Sequence, residues 1–159
     1  MINIPKDIEY IFTDFDGVIT DGCAYISDET GAISKKINFK DIMGISIAIK
    51  NAYKVGIISG ESCKAIDYVQ KKFNLEEVHC KIRNKLEVLQ EIIARKNLNP
   101  KKVVYIGDDI NDINALNFVG YPITVNNAMA KVKEIQNIQI TSNDGGNGAF
   151  REVIDSLIY

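Results

Sequence analysis

Tyr10-Ile11-Phe12-Thr13-Asp14-Phe15-Asp16-Gly17 is the stretch on which the architecture turns. Four residues suited to a pleated, buried position run without a break, and the run ends directly on Asp14. A second carboxylate follows at Asp16, and Gly17 gives the chain a sharp exit from the strand. Outward from this stretch the same form recurs. Val55–Ser59 is rich in β-branched residues and ends on Ser59-Gly60, and Val103–Ile106 ends on Gly107-Asp108. Val78–Cys80 and Tyr121–Val125 read as shorter strands. Between them, residues 41–53, 61–73, 84–97 and 111–119 carry apolar side chains at helical spacing. Leu86, Leu89, Ile92 and Ile93 form one such stripe, and Leu98–Pro100 stops that helix. Strands alternating with helices predict an α/β fold: a doubly wound, Rossmann-like parallel sheet with helices on both faces.

One segment departs from the alternation. Between Gly22 and Phe39, Tyr25-Ile26-Ser27 and residues 32–39 flank the turn Asp28-Glu29-Thr30-Gly31, which predicts a β-hairpin inserted after the first strand. At the other end, the Gly-rich loop Asp144-Gly145-Gly146-Asn147-Gly148 precedes a helix over 149–157. No repeat, low-complexity tract or linker interrupts the chain, so residues 1–159 are expected to form one domain.

Composition narrows the function classes. Nineteen basic against twenty-one acidic residues leave a net charge of −2, which offers no electrostatic footprint for nucleic acid or an anionic membrane. Three cysteines (Cys23, Cys63, Cys80) have no paired spacing, which argues against a disulfide framework or a structural zinc. The single histidine, His79, reads as an ordinary polar residue at a strand end. Met1 to Tyr10 lacks the long apolar stretch of a signal peptide, and no window approaches the ~20 apolar residues of a membrane span. A cytoplasmic protein is expected.

Open parallel sheets bind ligands at the carboxyl ends of their strands. Asp14 and Asp16, Ser59-Gly60, and Gly107-Asp108-Asp109 all fall at such ends, so the fold would gather residues distant in sequence. Carboxylates gathered there repel unless neutralised, and Mg2+ suits carboxylates that share a site with a phosphate. Asp14 is placed to act as a nucleophile and Asp16 as general acid and base. Lys85, at the start of a helix, can neutralise the nucleophile and a phosphoryl group, and Ser59 can donate to a phosphate oxygen. Asp108 is a direct metal ligand in this reading, whereas Asp109 and Asp112 orient water or Lys85. Each feature alone is weak; Asp-x-Asp by itself is more often two solvated loop acids. A calcium loop would close on Glu after twelve residues, and position 119 is Val.

Taken in order, Asp14-Phe15-Asp16-Gly17-Val18, Ile58-Ser59-Gly60, Lys85 and Gly107-Asp108-Asp109-Ile110-Asn111-Asp112 resemble the haloacid dehalogenase superfamily. The resemblance implies that the Asp14 carboxylate and the Asp16 backbone carbonyl bind Mg2+ with Asp108, while Ser59 and Lys85 hold the phosphate. Asp16 through Gly22, the hairpin, and the tail Gly145-Gly146-Asn147-Gly148-Ala149-Phe150-Arg151-Glu152 are similar to a small tetrameric branch without a cap domain. That branch acts on 3-deoxy-D-manno-octulosonate 8-phosphate and on nonulosonate 9-phosphates. By resemblance, hairpins assemble into the core of a homotetramer, and the tail, including Arg151, reaches a neighbour's substrate. Two departures stand out. Glu61 occupies the position of an Arg that follows the Ser/Thr-Gly pair in the octulosonate enzymes, and Asp41-Ile42 replaces Asp-Gly. Glu61 together with Lys72 is more similar to the nonulosonate enzymes. Glu accepts from sugar hydroxyls where Arg would clamp a carboxylate, and Lys72 is left to serve the carboxylate. The expected substrate is a phosphorylated 2-keto-3-deoxy sugar acid, nine-carbon rather than eight-carbon. A non-catalytic tetramerising module would have lost its acidic residues, and a phospho-acceptor signalling domain has no use for Asp16.

Overall fold

The computed structural model describes residues 2–159. Six strands form one all-parallel sheet in the order β5-β4-β1-β6-β7-β8. They are β1 (Tyr10–Thr13), β4 (Val55–Ile58), β5 (Val78–His79), β6 (Val103–Ile106), β7 (Tyr121–Thr124) and β8 (Gln139–Ile140). Every residue of β1, β4 and β6 is buried, as strands covered on both faces must be. Side chains alternate between two cores. Ile11, Val104 and Ile106 face α1 (Phe39–Lys50), α2 (Lys64–Phe73) and α6 (Ala149–Ile158); Tyr10, Phe12 and Tyr105 face α3 (Lys85–Lys96), α4 (Ile113–Phe118) and α5 (Ala130–Lys133). The doubly wound expectation therefore holds. Gly56 lies under the Phe12 ring, where a β-carbon would press on the aromatic edge.

Helix ends explain where the expected boundaries shift. Asn38 accepts from the Lys40 amide and starts α1 at Phe39, so Phe39 belongs to the helix and not to the hairpin. α2 begins at Lys64, because the Glu61 amide donates to the Ser59 hydroxyl and the chain turns before the helix. Residues 110–112 form a 3₁₀ turn that leads into α4. α5 and β8 were not expected. β8 is an edge strand of two residues, and Gln139 side-chain bonds to the Asn3 backbone tie it to the N-terminus. The hairpin is short: β2 (Tyr25–Ile26) pairs antiparallel with β3 (Ile33–Ser34), and a Thr20–Ile37 bridge closes its base.

The tail is part of the core. Phe150, Val153, Ile154 and Leu157 of α6 are buried, and the Gly148 and Arg151 amides donate to the fully buried Asp41 carboxylate. Gly145 and Gly146 lie against Gly17 to Asp21, so closely that a β-carbon on either would meet backbone atoms. The Gly-rich loop thus braces this chain's own Asp16-bearing loop. Removing residues 145–159 would take out much of one core face, so truncation does not isolate a substrate contact. Among the described residues no helix is long and apolar enough to cross a membrane.

Candidate active site

β1 lies between β4 and β6, where the strand order reverses, and the carboxyl ends of these three strands open one cleft. The Asp14 amide donates to the Ile106 carbonyl at 2.8 Å, so the ladder holds the backbone of Asp14 in place. Asp14, Asp16, Ser59, Gly60, Glu61, Asp108, Asp109 and Asn111 line the cleft of about 190 Å3. Two glycines are required by close approach. A β-carbon on Gly17, whose φ is +81°, or on Gly107 would collide with the carboxylates of Asp108 and Asp112 respectively.

Lys85 opens α3, whose first turn is capped by the Asn84 side chain. Its stem runs through the interior, and its ammonium lies 2.6 Å from Asp14 Oδ2 and 2.7 Å from Asp112 Oδ1. Asp112 is fully committed: Oδ1 also accepts from the Tyr105 hydroxyl at 2.9 Å, and Oδ2 accepts from the Asp108 and Asp109 amides. Asp112 was expected to orient water or Lys85, and it contacts Lys85 directly. Asp109 caps the 3₁₀ turn through its side chain and is otherwise exposed.

Carboxylates outnumber cations here. Oxygens of Asp14, Asp108 and Asp112 lie within 4.8 Å of one another, and among the described residues Lys85 is the one ammonium paired with them. Burial pushes the Asp14 carboxyl up to about 7, with Asp112 adding to the rise and Lys85 opposing it. Burial also raises Asp108 to about 7, reinforced by Asp14, Asp112 and Asp109. For Lys85 burial works against the charge, yet Asp112 and Asp14 outweigh it and hold the ammonium above its usual value. Surplus buried oxygen ligands of this kind fit a hard divalent cation.

The remaining expected residues separate. Ser59 is buried and Glu61 is exposed, both on the cleft. The Asp16 side chain stands apart from the carboxylate cluster: Oδ2 pairs with Lys35 at 2.5 Å and Oδ1 accepts from the Thr20 hydroxyl at 3.1 Å. The expected ligand set called on the Asp16 backbone carbonyl, not on this side chain. Lys72 is not in the cleft; it lies in the last turn of α2, donating to the Tyr68 hydroxyl. The helical rise carries it about 12 Å along the axis from the start of α2 at Lys64. Arg151 is also outside it, paired with Asp155 at 2.6 Å in a separate polar recess with Lys40 and Asn147. His79 pairs with Glu77 at the end of β5. Lys35 and Thr20 were not foreseen. Thr20 had a local signal, a hydroxyl four residues after Asp16, whereas Lys35 had none.

The profile of haloacid dehalogenase-like hydrolases matches residues 57–153. The 3-deoxy-D-manno-octulosonate 8-phosphate phosphatase of Yersinia pestis is 30% identical over 162 residues, covering 99% of this chain and 83% of the relative. The enzyme of the same name from Escherichia coli K12 is 29% identical, covering 96% and 80%. The crystal structure of the Moraxella catarrhalis phosphatase in complex with magnesium, phosphate and KDO superposes with a TM-score of 0.89, at 27% identity, over 96% of this chain and 87% of that one. With the matched segment running from β4 into α6 and Asp14, paired with Lys85, beside Asp108 at the switch point, this chain belongs to the haloacid dehalogenase-like hydrolases.

Proposed function

We propose that the chain is a Mg2+-dependent phosphatase acting on the phosphate monoester of a 2-keto-3-deoxy sugar acid. The observation that carries this reading is the buried Asp14, held against Lys85 at the switch point, with Asp16 two residues on in the same cleft. Asp14 attacks phosphorus, the ester P–O bond breaks, and Asp16 gives its proton to the leaving oxygen. Water then attacks the aspartyl-phosphate and passes a proton back to Asp16, which releases inorganic phosphate and restores Asp14. Ser59 and Lys85 hold the phosphoryl oxygens. Asp14, Asp108 and the Asp16 carbonyl would hold Mg2+, which would supply charge neutralisation at the phosphoryl group.

A metal-linked stability effect follows. In the metal-free protein Asp14 and Asp108 hold protons up to about 7, well above the 3.8 of the unfolded chain. Between those values the folded state binds more protons than the unfolded one, so their contribution to stability falls as pH rises from about 4 to about 7. Mg2+ binds the ionised form. With the ion at about 100-fold its Kd, the melting temperature is expected to rise about 5–10 °C at pH 8, and by less than half of that at pH 5. Equal rises at both pH values would contradict the assignment.

The finer substrate reading is a nonulosonate 9-phosphate. It is supported by Glu61 on the cleft, which accepts from hydroxyls and repels a carboxylate. Lys72 gives it no support within one chain. The eight-carbon alternative is supported by the names of the relatives. Phosphate release with Mg2+ from the two nine-carbon substrates, ketodeoxynononate and N-acetylneuraminate 9-phosphates, is expected to exceed that from octulosonate 8-phosphate by about tenfold or more in kcat/KM. The reverse order assigns the substrate to the eight-carbon class, and release from none of the three removes sugar-acid phosphates altogether. We also propose a cytoplasmic homotetramer. Exposed Tyr25, Ile26 and Ile33 on the hairpin support the assembly, and a light-scattering mass of one chain would remove it.

A further inference from the structure

Lys35 reaches Asp16, a residue of the cleft, from the hairpin just after β3, on a segment whose other residues are largely exposed. Its own side chain is only 16% exposed, because the stem folds inward and places Nζ 2.5 Å from Asp16 Oδ2. The other Asp16 oxygen accepts from the fully buried Thr20 hydroxyl, which in turn accepts from the Gly17 and Gly22 amides. Thr20 is bridged to Ile37, two residues beyond Lys35. The two groups that hold the carboxylate are therefore tied to each other through the hairpin base. Each carboxylate oxygen keeps a second lone-pair direction for a substrate oxygen or water.

We propose that Lys35 is a positioning residue, fixing the Asp16 carboxylate in the orientation from which it exchanges a proton with the leaving oxygen. The hairpin is then a working part of the site, because its placement sets where Asp16 points. A partly exposed ion pair adds little to folding. Proton transfer in the transition state contributes factors of about 10²–10⁴ and depends on geometry, so the larger effect of this pair falls on the rate. The inference rests on the acid/base role proposed for Asp16.

The test compares kcat/KM on two probes: an alkyl phosphate cleaved by the wild type, whose alkoxide leaves with a proton, and 4-nitrophenyl phosphate, whose phenolate leaves without one. Lys35→Met is expected to lower kcat/KM about 10–100-fold on the alkyl phosphate and less than about threefold on the aryl phosphate. Lys35→Arg, keeping a cation on a long stem, is expected to restore at least about a third of the lost activity. In an Asp16→Ala background, Lys35→Met is expected to have no further effect. Equal losses on both probes, or an undiminished second loss in the Asp16→Ala background, would overturn the positioning role. Failure of the underlying reading shows separately: Asp16→Ala alone would then cost the alkyl phosphate no more than the aryl one.

Discussion

Asp14→Asn is expected to lower phosphate release by about 10⁴-fold or more, with the melting temperature shifted by no more than about 4 °C. An amide of nearly the same shape keeps one acceptor for the Phe15 amide, which bonds Asp14 Oδ1 at 2.6 Å, but has no nucleophilic oxygen. Two stability effects oppose each other. Lys85 loses one of its two carboxylate partners, while the crowding among Asp14, Asp108 and Asp112 is relieved. Turnover surviving this change, in a protein free of wild-type contamination, removes Asp14 as the nucleophile.

Lys85→Met is expected to damage folding and chemistry together. The ammonium is wholly buried between Asp14 and Asp112, and methionine fills its volume without its charge. Removing one member of a buried charged group leaves its partners uncompensated and typically costs about 3–5 kcal/mol. The cost should be larger above pH 7, where wild-type Asp14 ionises and pairs with Lys85, whereas without Lys85 its carboxyl is pushed higher still and must take up a proton or stand unpaired. Loss of a preorganised cation at the phosphoryl group should lower kcat by about 10²–10³. Lys85→Arg is expected to rescue neither, since a planar fork does not fit a slot shaped for one ammonium between two carboxylates. Denaturant midpoints at pH 6 and 8 and saturating kcat check both parts. Activity within threefold of wild type would show that Lys85 is structural only.

What could be read from sequence divides along physical lines. Tyr10–Thr13 runs straight onto Asp14 and Val103–Ile106 onto Gly107-Asp108, and both strands lie where that pattern places them. Asp14, Ser59 and Asp108 follow, because the carboxyl ends of a parallel sheet converge at the switch point whatever the intervening loops do. Gln139–Ile140 and Ala130–Lys133 left no periodic signal: the first is two residues long and the second a single turn. Lys72 entered through a resemblance to the nonulosonate enzymes, not through any local spacing, and at the far end of α2 it lies outside this chain's own cleft. Lys35 was missed because its partnership with Asp16 depends on where a hairpin folds, which no local spacing expresses. The tail shows the same limit. Its glycines were legible as a motif, but only the close approach to Gly17 and Asp21 gives the reason for them.

The central claim is that Asp14 carries the phosphoryl group. Rapid acid quench during turnover with Mg2+, followed by proteolysis and mass spectrometry of the peptide that contains Asp14, tests it most directly. A phosphoryl adduct on Asp14 that forms and decays at rates consistent with kcat is the predicted result. Turnover with no adduct at any quench time, or with the adduct on another residue, would contradict it.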